Sequence, residues 1–298
     1  MTTTTTHIAM STAPKTQPAL DIADCPPAID VLEQLRVGLA RSIAGRRAQP
    51  LSIASLSADA HALVIEALGD GEIRAELDAT EAHPRALLTE TSLTGVWRWR
   101  LFDPAGGLLA DVLEPGDCPT PMYERPFQAA RNRIDWPRDS SEDSMDAVAV
   151  LAELDTYLDL QPDSDAGIQA NTRRLDINGA KDLSHSVNLS MLPQNPAAMA
   201  LIERCLGQGP ARMINLGYGR CQIEATSVRP IWRLRHFNSS GRLLLDSIEI
   251  SPIPSVVLAT TQDLTDSHER LGQLLAAIGD HGPSNFPKGQ PRTALGCD

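Results

Sequence analysis

Hydrophobic residues recur at helical spacing in four parts of the chain. Residues 58–68 and 196–206 show this pattern, and each of these segments is followed by a glycine that can end a helix. The same spacing extends from Pro27 to about Arg46 and from Ser255 to Ile278. We therefore predict four amphipathic helices in these places.

Alternation of apolar and polar residues predicts strands elsewhere. We predict one long strand over 87–102 and another over 220–237, each followed by a polar turn with glycine and by a partner strand. Gly95 and Pro230 occupy the same position in the two strands and are expected to bend them. Helices combined with antiparallel hairpins make α+β the predicted fold class.

The whole pattern occurs twice, at an offset of 135 residues. Of the 26 positions from 89 to 114, eleven are identical to their counterparts in 224–249, and upstream the match continues at an offset of 138. Such self-similarity is typical of a duplicated supersecondary unit. We therefore predict two tandem repeats, 27–133 and 186–280, each a helix packed with a small antiparallel sheet.

The segments outside the repeats differ from them in composition. Residues 1–26 are rich in Thr, Ala and Pro and are predicted to be disordered, and 281–298 are predicted to form a flexible tail. We interpret 134–185 as an acidic linker with an amphipathic helix. Within it, residues 138–165 carry nine acidic side chains and one Arg, which gives a local charge of −8.

The net charge of −12 narrows the classes of partner. It argues against nucleic acid or an anionic membrane as the main partner, because both attract basic surfaces. No apolar run approaches the ~20 residues that cross a bilayer, and the first ten residues lack the features of a secretory signal. The five cysteines show no CxxC spacing. We therefore expect a cytoplasmic protein without membrane insertion.

No spacing of residues indicates an enzyme. The seven histidines lack metal-like spacing, and the sequence contains neither a nucleophile elbow nor a phosphate-binding glycine loop. Asp246 and Glu249, like Asp111 and Glu114, are three residues apart on a predicted strand. They face opposite sides and cannot act as an acid–base pair, so we expect them to pair with arginines of the neighbouring strand.

A row of arginines follows Trp232 on its strand. Alternation places Trp232 on one face of the sheet and Arg233 and Arg235 on the other, with Phe237 at the end of the strand. One interpretation is a core tryptophan behind a solvated, salt-bridged arginine row. The other is a docking stripe for an acidic partner surface, because arginine pairs with carboxylates in a bidentate manner.

A short glycine-rich motif interrupts the similarity of the two repeats. Gly217, Tyr218, Gly219 and Cys221 have no counterpart in the first repeat, although Arg220 between them does. The functional interpretation is a tight turn that presents an aromatic ring to a partner. The structural interpretation is that the glycines only make a turn and Cys221 is a small buried residue.

Several motifs of the second repeat together resemble those of a known family. They are VNLSMLP at 187–193, LGxG at 206–209, GYGRC at 217–221, the stretch 232–238, LDSIE at 245–249, and Pro254 with 263–271. In combination they resemble the hydrogenase expression/formation proteins of the HupH/HyaF type. The resemblance covers residues 185–272.

This resemblance implies a cytoplasmic accessory protein in the maturation of a nickel–iron uptake hydrogenase. Such a protein is expected to act as a chaperone for the hydrogenase small-subunit precursor, which carries iron–sulfur clusters and a twin-arginine export signal, beside a thioredoxin-like hydrogenase accessory protein. We expect neither catalysis nor a bound cofactor or metal. The predicted partner-binding residues are Gly217, Tyr218, Gly219, Arg220, Cys221, Trp232, Arg233, Arg235, Phe237 and Asp246.

Two other functions remain open on the sequence alone. One is a transient iron–sulfur or metal handler that uses Cys221 with Cys205 or Cys118 as thiolate ligands. Because a cluster takes about four protein thiolates, this function requires a dimer or cysteines from a partner. The other is a scaffold that bridges maturation factors through the first repeat and the acidic helix.

Overall fold

A computed structural model describes most of the chain. The described residues are 22–137, 145–160, 184–191, 195–217 and 219–280. The predicted tail 281–298, Tyr218, most of the segment 1–26 and much of the linker 134–185 lie outside them. Within the described part, no helix is long and apolar enough to cross a membrane.

The described residues form six α-helices and ten strands. The helices are α1 (Pro26–Ile43), α2 (Ala58–Leu68), α3 (Thr120–Glu124), α4 (Met145–Asp159), α5 (Pro196–Leu206) and α6 (Thr261–Asp280). The strands are β1 (Leu51–Ser52), β2 (Ile73–Leu77), β3 (Arg85–Glu90), β4 (Val96–Phe102), β5 (Leu108–Pro115), β6 (His185–Asn188), β7 (Ala211–Asn215), β8 (Arg220–Ala225), β9 (Ile231–Phe237) and β10 (Leu243–Ile250). This mixture of helices and antiparallel strands confirms the predicted α+β class.

The ends of the helices follow from their capping residues. Ser57 and Asn195 accept backbone N–H groups at the starts of α2 and α5, so both helices begin where predicted. The predicted start of α6 was Ser255, but the helix begins at Thr261. Thr260 caps it there through a reciprocal pair of hydrogen bonds with Asp263.

All ten strands belong to one antiparallel sheet. Their order is β1-β5-β4-β3-β2-β7-β8-β9-β10-β6. The central strands β2 and β7 pair over five residues each, with Ala75 opposite Met213. Outward from this pair, the strands of the two halves follow the same order. The strands predicted as two small sheets thus form one continuous sheet.

The prediction of two long strands from alternation is wrong. Each is a pair of antiparallel strands, β3–β4 and β8–β9, joined by a tight turn. Thr91 opens the first turn, where its N–H donates to Val96 O, and Thr226 opens the second turn in the same way. Each turn contains a buried apolar residue, Leu93 or Val228, so the hydrophobic pattern continues through it.

Five helices pack on one face of the sheet, which we call the helix face. Helices α1, α2 and α6 enclose one hydrophobic cluster with Val96 and Leu113. Helices α4 and α5 enclose a second cluster with Ile231 and Ile248. The predicted acidic helix is therefore α4, and it packs on the second half of the sheet.

The opposite face, which we call the tryptophan face, carries the third cluster. Trp97 and Trp232 are its largest members, and both are at most 1% exposed. The segments after β5 and β10 cover this face with Met122, Phe127 and Val257. Since Phe127 lies 5.0 Å edge-on from the ring of Trp232, the segment after β5 covers the second half of the sheet.

Connecting segments cross between the halves in both directions. Helix α6 follows β10 but packs against α1, and its Leu264 lies against Gly95 in the β3–β4 turn. In the other direction Arg131, which follows β5, donates its N–H to Ser227 O in the β8–β9 turn. Each half of the sheet is thus completed by a segment that belongs in sequence to the other half.

The contact between α6 and the β3–β4 turn predicts a large cost for a side chain at Gly95. Gly95 has φ +80°, and a Cβ there would meet Leu264, Gly116 and Ala259, whereas Gly106 has φ +87° with open space around it. We expect Gly95→Ala to lower the free energy of unfolding by about 3 kcal/mol and Gly106→Ala by about 1 kcal/mol. Urea denaturation followed by circular dichroism measures both values, and equal costs would contradict the predicted packing.

Candidate functional site

The predicted partner-binding residues are divided between the two faces of the sheet. Cys221 and Trp232 belong to the cluster on the tryptophan face. Because side chains alternate along a strand, Arg220, Arg233, Arg235, Phe237 and Asp246 lie on the helix face. Gly217 and Gly219 belong to the turn between β7 and β8. The nine of these residues that the structure describes therefore do not form one surface.

Trp232 lies in the hydrophobic core on the tryptophan face. Its side chain is fully buried, and its indole N–H donates to Ser251 O at 3.0 Å. A partner that docks on the protein surface does not reach it, so its contribution to the site is to fix β9 in the sheet.

Cys221 is also buried. Burial, and then the negative charge of Glu249, raise the pKa of its thiol to about 11. Its Sγ lies 3.6 Å from His236 Nε2. Cys118 lies in the same cluster, but Cys205 lies in the cluster on the helix face. Burial raises the pKa of both of these thiols as well, so none of the three favours the thiolate that a metal requires.

Among the described residues, no group of three or more His, Cys, Asp or Glu side chains lies close enough together to hold a metal ion.

Arg233 is held between two carboxylates. Its guanidinium donates to both oxygens of the buried Asp246, at 3.0 and 2.8 Å, and to Glu203 on α5 at 2.7 Å. The hydrogen bond to Asp246 is the main reason that the pKa of Arg233 is raised. Arg98 and Asp111 form the same bidentate pair in the first half, which is the pairing expected from sequence. The charge of Arg233 is thus neutralised from within the protein.

Among the predicted residues that the structure describes, Arg220 is an exposed side chain and Phe237 is half-buried beside it. Arg220 is exposed, and its guanidinium lies 6.0 Å from the centre of the Phe237 ring. Arg235 lies beside them, half-buried and paired with Glu224. We call Arg220, Arg235 and Phe237 the second corner. A planar cation next to an aromatic ring can bind a carboxylate and an apolar group together.

Close packing explains Gly217, and backbone conformation explains Gly219. A Cβ at Gly217 would collide with the Glu72 carboxylate, and Leu216 donates its N–H to Glu72 O. The turn therefore lies against the first half of the sheet, next to the start of β2. Gly219 has φ +83°, which favours glycine because other residues are strained there.

The sequence prediction missed the middle of the helix face, which we call the central strip. It consists of the helix-face side chains of β2, β3, β7 and β8 other than Arg85 and Arg220, and none of them belongs to a buried cluster. They are Arg74, Glu76, Leu87, Thr89, Arg212, Ile214, Gln222 and Glu224. These strands line a shallow depression of about 330 Å³.

One signal in the sequence pointed to the central strip. Arg74 and Arg212 occupy equivalent positions of the two repeats at the offset of 138. Their proximity follows only from the pairing of β2 with β7, which the sequence pattern did not reveal.

The raised pKa and the burial of Cys221 predict a low reactivity. With a pKa of about 11, about one thiol in a thousand is ionised at pH 8. Cys25 is only half-buried and serves as the internal control. Iodoacetamide labelling of the folded protein, mapped by mass spectrometry, should modify Cys25 at least tenfold faster than Cys221. Equal rates would contradict the buried position of Cys221.

The comparisons with known proteins agree on one family. The region described as the HupH hydrogenase expression protein, C-terminal conserved region, matches residues 144–278, which extend from α4 into α6.

Three relatives match most of the chain. The chain is 31% identical to the hydrogenase expression/formation protein HoxQ of Azotobacter vinelandii over 255 residues. It is 30% identical to HupQ of Azotobacter chroococcum mcd 1 and to HupH of Rhodobacter capsulatus, over 256 and 252 residues. Each match covers 85% of this chain and 82% of the relative. This chain therefore belongs to the hydrogenase expression/formation protein family, as its motifs indicated.

Proposed function

We propose that this protein is a non-enzymatic accessory chaperone in the maturation of a nickel–iron uptake hydrogenase. In this proposal it binds the iron–sulfur small-subunit precursor in the cytoplasm before export, beside a thioredoxin-like hydrogenase accessory protein. Membership of the hydrogenase expression/formation family supports the maturation role. The site itself supports binding rather than chemistry, because its accessible groups are a guanidinium and an aromatic ring.

The observation that carries the binding role is the second corner. Arginine and aromatic residues are frequent at the centres of protein interfaces, where they combine charge-assisted hydrogen bonds with apolar contact. The charged guanidinium of Arg220 lies 6.0 Å from the centre of the Phe237 ring, so a charge and an apolar surface are next to each other. The buried residues Trp232, Cys221 and Asp246 would then act indirectly, by fixing the strands that carry this corner.

We also infer that the two halves of the protein derive from one duplicated unit. The eleven identities in 26 positions support this inference. The matching strand order on the two sides of the β2–β7 pair supports it independently.

Charge reversal at the second corner should weaken binding of the precursor. We expect the tagged Arg220→Glu variant to co-purify at least about tenfold less small-subunit precursor than the unaltered protein, because it replaces an attraction by a repulsion in a contact of hot-spot type. Quantitative immunoblotting of pull-downs from hydrogenase-expressing cells measures the effect. Arg46→Glu is the matched control, since Arg46 is exposed after α1, and it should retain the precursor.

Two results would contradict the proposal. One is that the unaltered protein retains no small-subunit precursor. The other is that the Arg220→Glu and Arg46→Glu variants lose it equally. Iron analysis after anaerobic purification separates the chaperone from the cluster handler: stoichiometric iron that is lost in a Cys221→Ser variant would favour the handler.

A further inference from the structure

The first half of the sheet has a counterpart of the second corner. Arg85, Arg100 and Phe102 lie together at the end of β3 and β4, and we call them the first corner. Both guanidiniums lie within 5.9 Å of the centre of the Phe102 ring. At the offset of 135, these three residues are the equivalents of Arg220, Arg235 and Phe237. The helix face therefore carries the same chemistry at two places.

Each corner contains one neutralised and one available arginine. Arg85 donates to Glu76 at 2.7 Å, and Arg235 is paired with Glu224. Among the described residues, Arg100 and Arg220 make no ion pair, and each guanidinium lies near the phenylalanine ring of its corner. The available charge thus lies on β4 in the first corner and on β8 in the second.

The central strip connects the two corners. From Phe102 on β4 to Phe237 on β9, the path crosses five strand spacings and six residue positions along the strands. At about 4.8 Å per strand and about 3.3 Å per residue, the two rings are about 30 Å apart across the face. An extended polypeptide of about ten residues covers this distance.

The charge of the strip favours an acidic occupant. Arg74 lies in its middle, more than half exposed and 3.9 Å from its nearest carboxylate, on Asp70. The two carboxylates of the strip are already engaged, Glu76 with Arg85 and Glu224 with Arg235, and Arg212 is paired with Asp78. Arg100 and Arg220, which make no ion pair among the described residues, therefore leave an excess of positive charge at the two ends of the strip, on a protein whose net charge is −12. A segment that carries several carboxylates complements this excess.

Exposed leucines next to both corners add an apolar component. Leu108 and Leu109 lie where β5 begins, and Leu243 and Leu244 lie where β10 begins; all four are at least 44% exposed. The pairing register shifts at both places, so each leucine pair stands at an irregularity of its hairpin. An apolar side chain at each end of the occupant would find a contact there.

We propose that the central strip binds an extended, acidic segment of about ten residues from a partner polypeptide, with a carboxylate at each corner. The inference rests on the proposed function only for the identity of the protein that carries this segment. Because the two corners are far apart, both contribute to the affinity for one segment only if that segment is long enough to reach both.

Synthetic peptides test this two-point binding directly. The long peptide has five Glu-Ser repeats between two leucines, and the short peptide has two repeats between two leucines. Fluorescence anisotropy at low salt, with the full chain, measures both affinities. We expect the long peptide to bind at least about tenfold more tightly than the short one, and a long peptide with Lys in place of Glu to bind not at all.

Charge reversal at either corner should remove the difference in affinity between the long and the short peptide. In Arg100→Glu and in Arg220→Glu, we expect the affinities of the long and the short peptide to become similar, because only one corner remains. Arg46→Glu makes the same change of charge outside the strip and should keep this difference. Circular dichroism and the midpoint of thermal unfolding verify that each variant is folded.

Three results would overturn the inference: no binding of the long peptide, equal affinity of the two peptides for the unaltered protein, or an equal effect of Arg46→Glu and Arg100→Glu. The assay contains no hydrogenase component. If the peptides do not bind, the chaperone proposal is still tested by the co-purification experiment. If the co-purification fails, the binding of an acidic segment is still tested by this assay.

Discussion

The pairing of β2 with β7 is the interaction on which the rest of the structure depends. It joins strands from opposite halves over five residues each, with Ala75 and Met213 buried at its centre on the tryptophan face. On the other face it leaves Arg74 and Arg212 exposed to solvent between the two groups of helices. Without this pairing neither the continuous sheet nor the central strip exists, because both are made by strands on the two sides of the junction.

The crossing segments make the two halves dependent on each other. The second half receives Phe127 and Arg131 from the segment after β5, and the first half receives α6. Each of these contacts buries apolar surface or satisfies backbone groups that would be costly to leave unpaired. The spacing of the two corners across the helix face is therefore fixed by contacts on both faces of the sheet.

Local features of the fold could be predicted from sequence, whereas long-range pairing could not. The bounds of α2 and α5 follow from Pro196, Ser57 and the glycines after each helix, since caps act within one helical turn. Alternation correctly separated Trp232 from Arg233, but it could not show that Trp232 is fully covered, because the covering residue Phe127 is more than one hundred positions away in sequence. The central strip was missed for the same reason: it requires the neighbours of β2 and β7, which no local pattern specifies.

The arrangement of ten strands in one sheet also affects how the protein avoids self-association. Two separate five-stranded sheets would expose four open edges, each of which can recruit a strand from another molecule. Side-by-side pairing leaves two edges in the sheet of the described residues, formed by β1 with two residues and β6 with four. Such short edge strands offer few free backbone groups to an approaching chain. The junction that creates the central strip thereby also protects the protein against aggregation through its sheet edges.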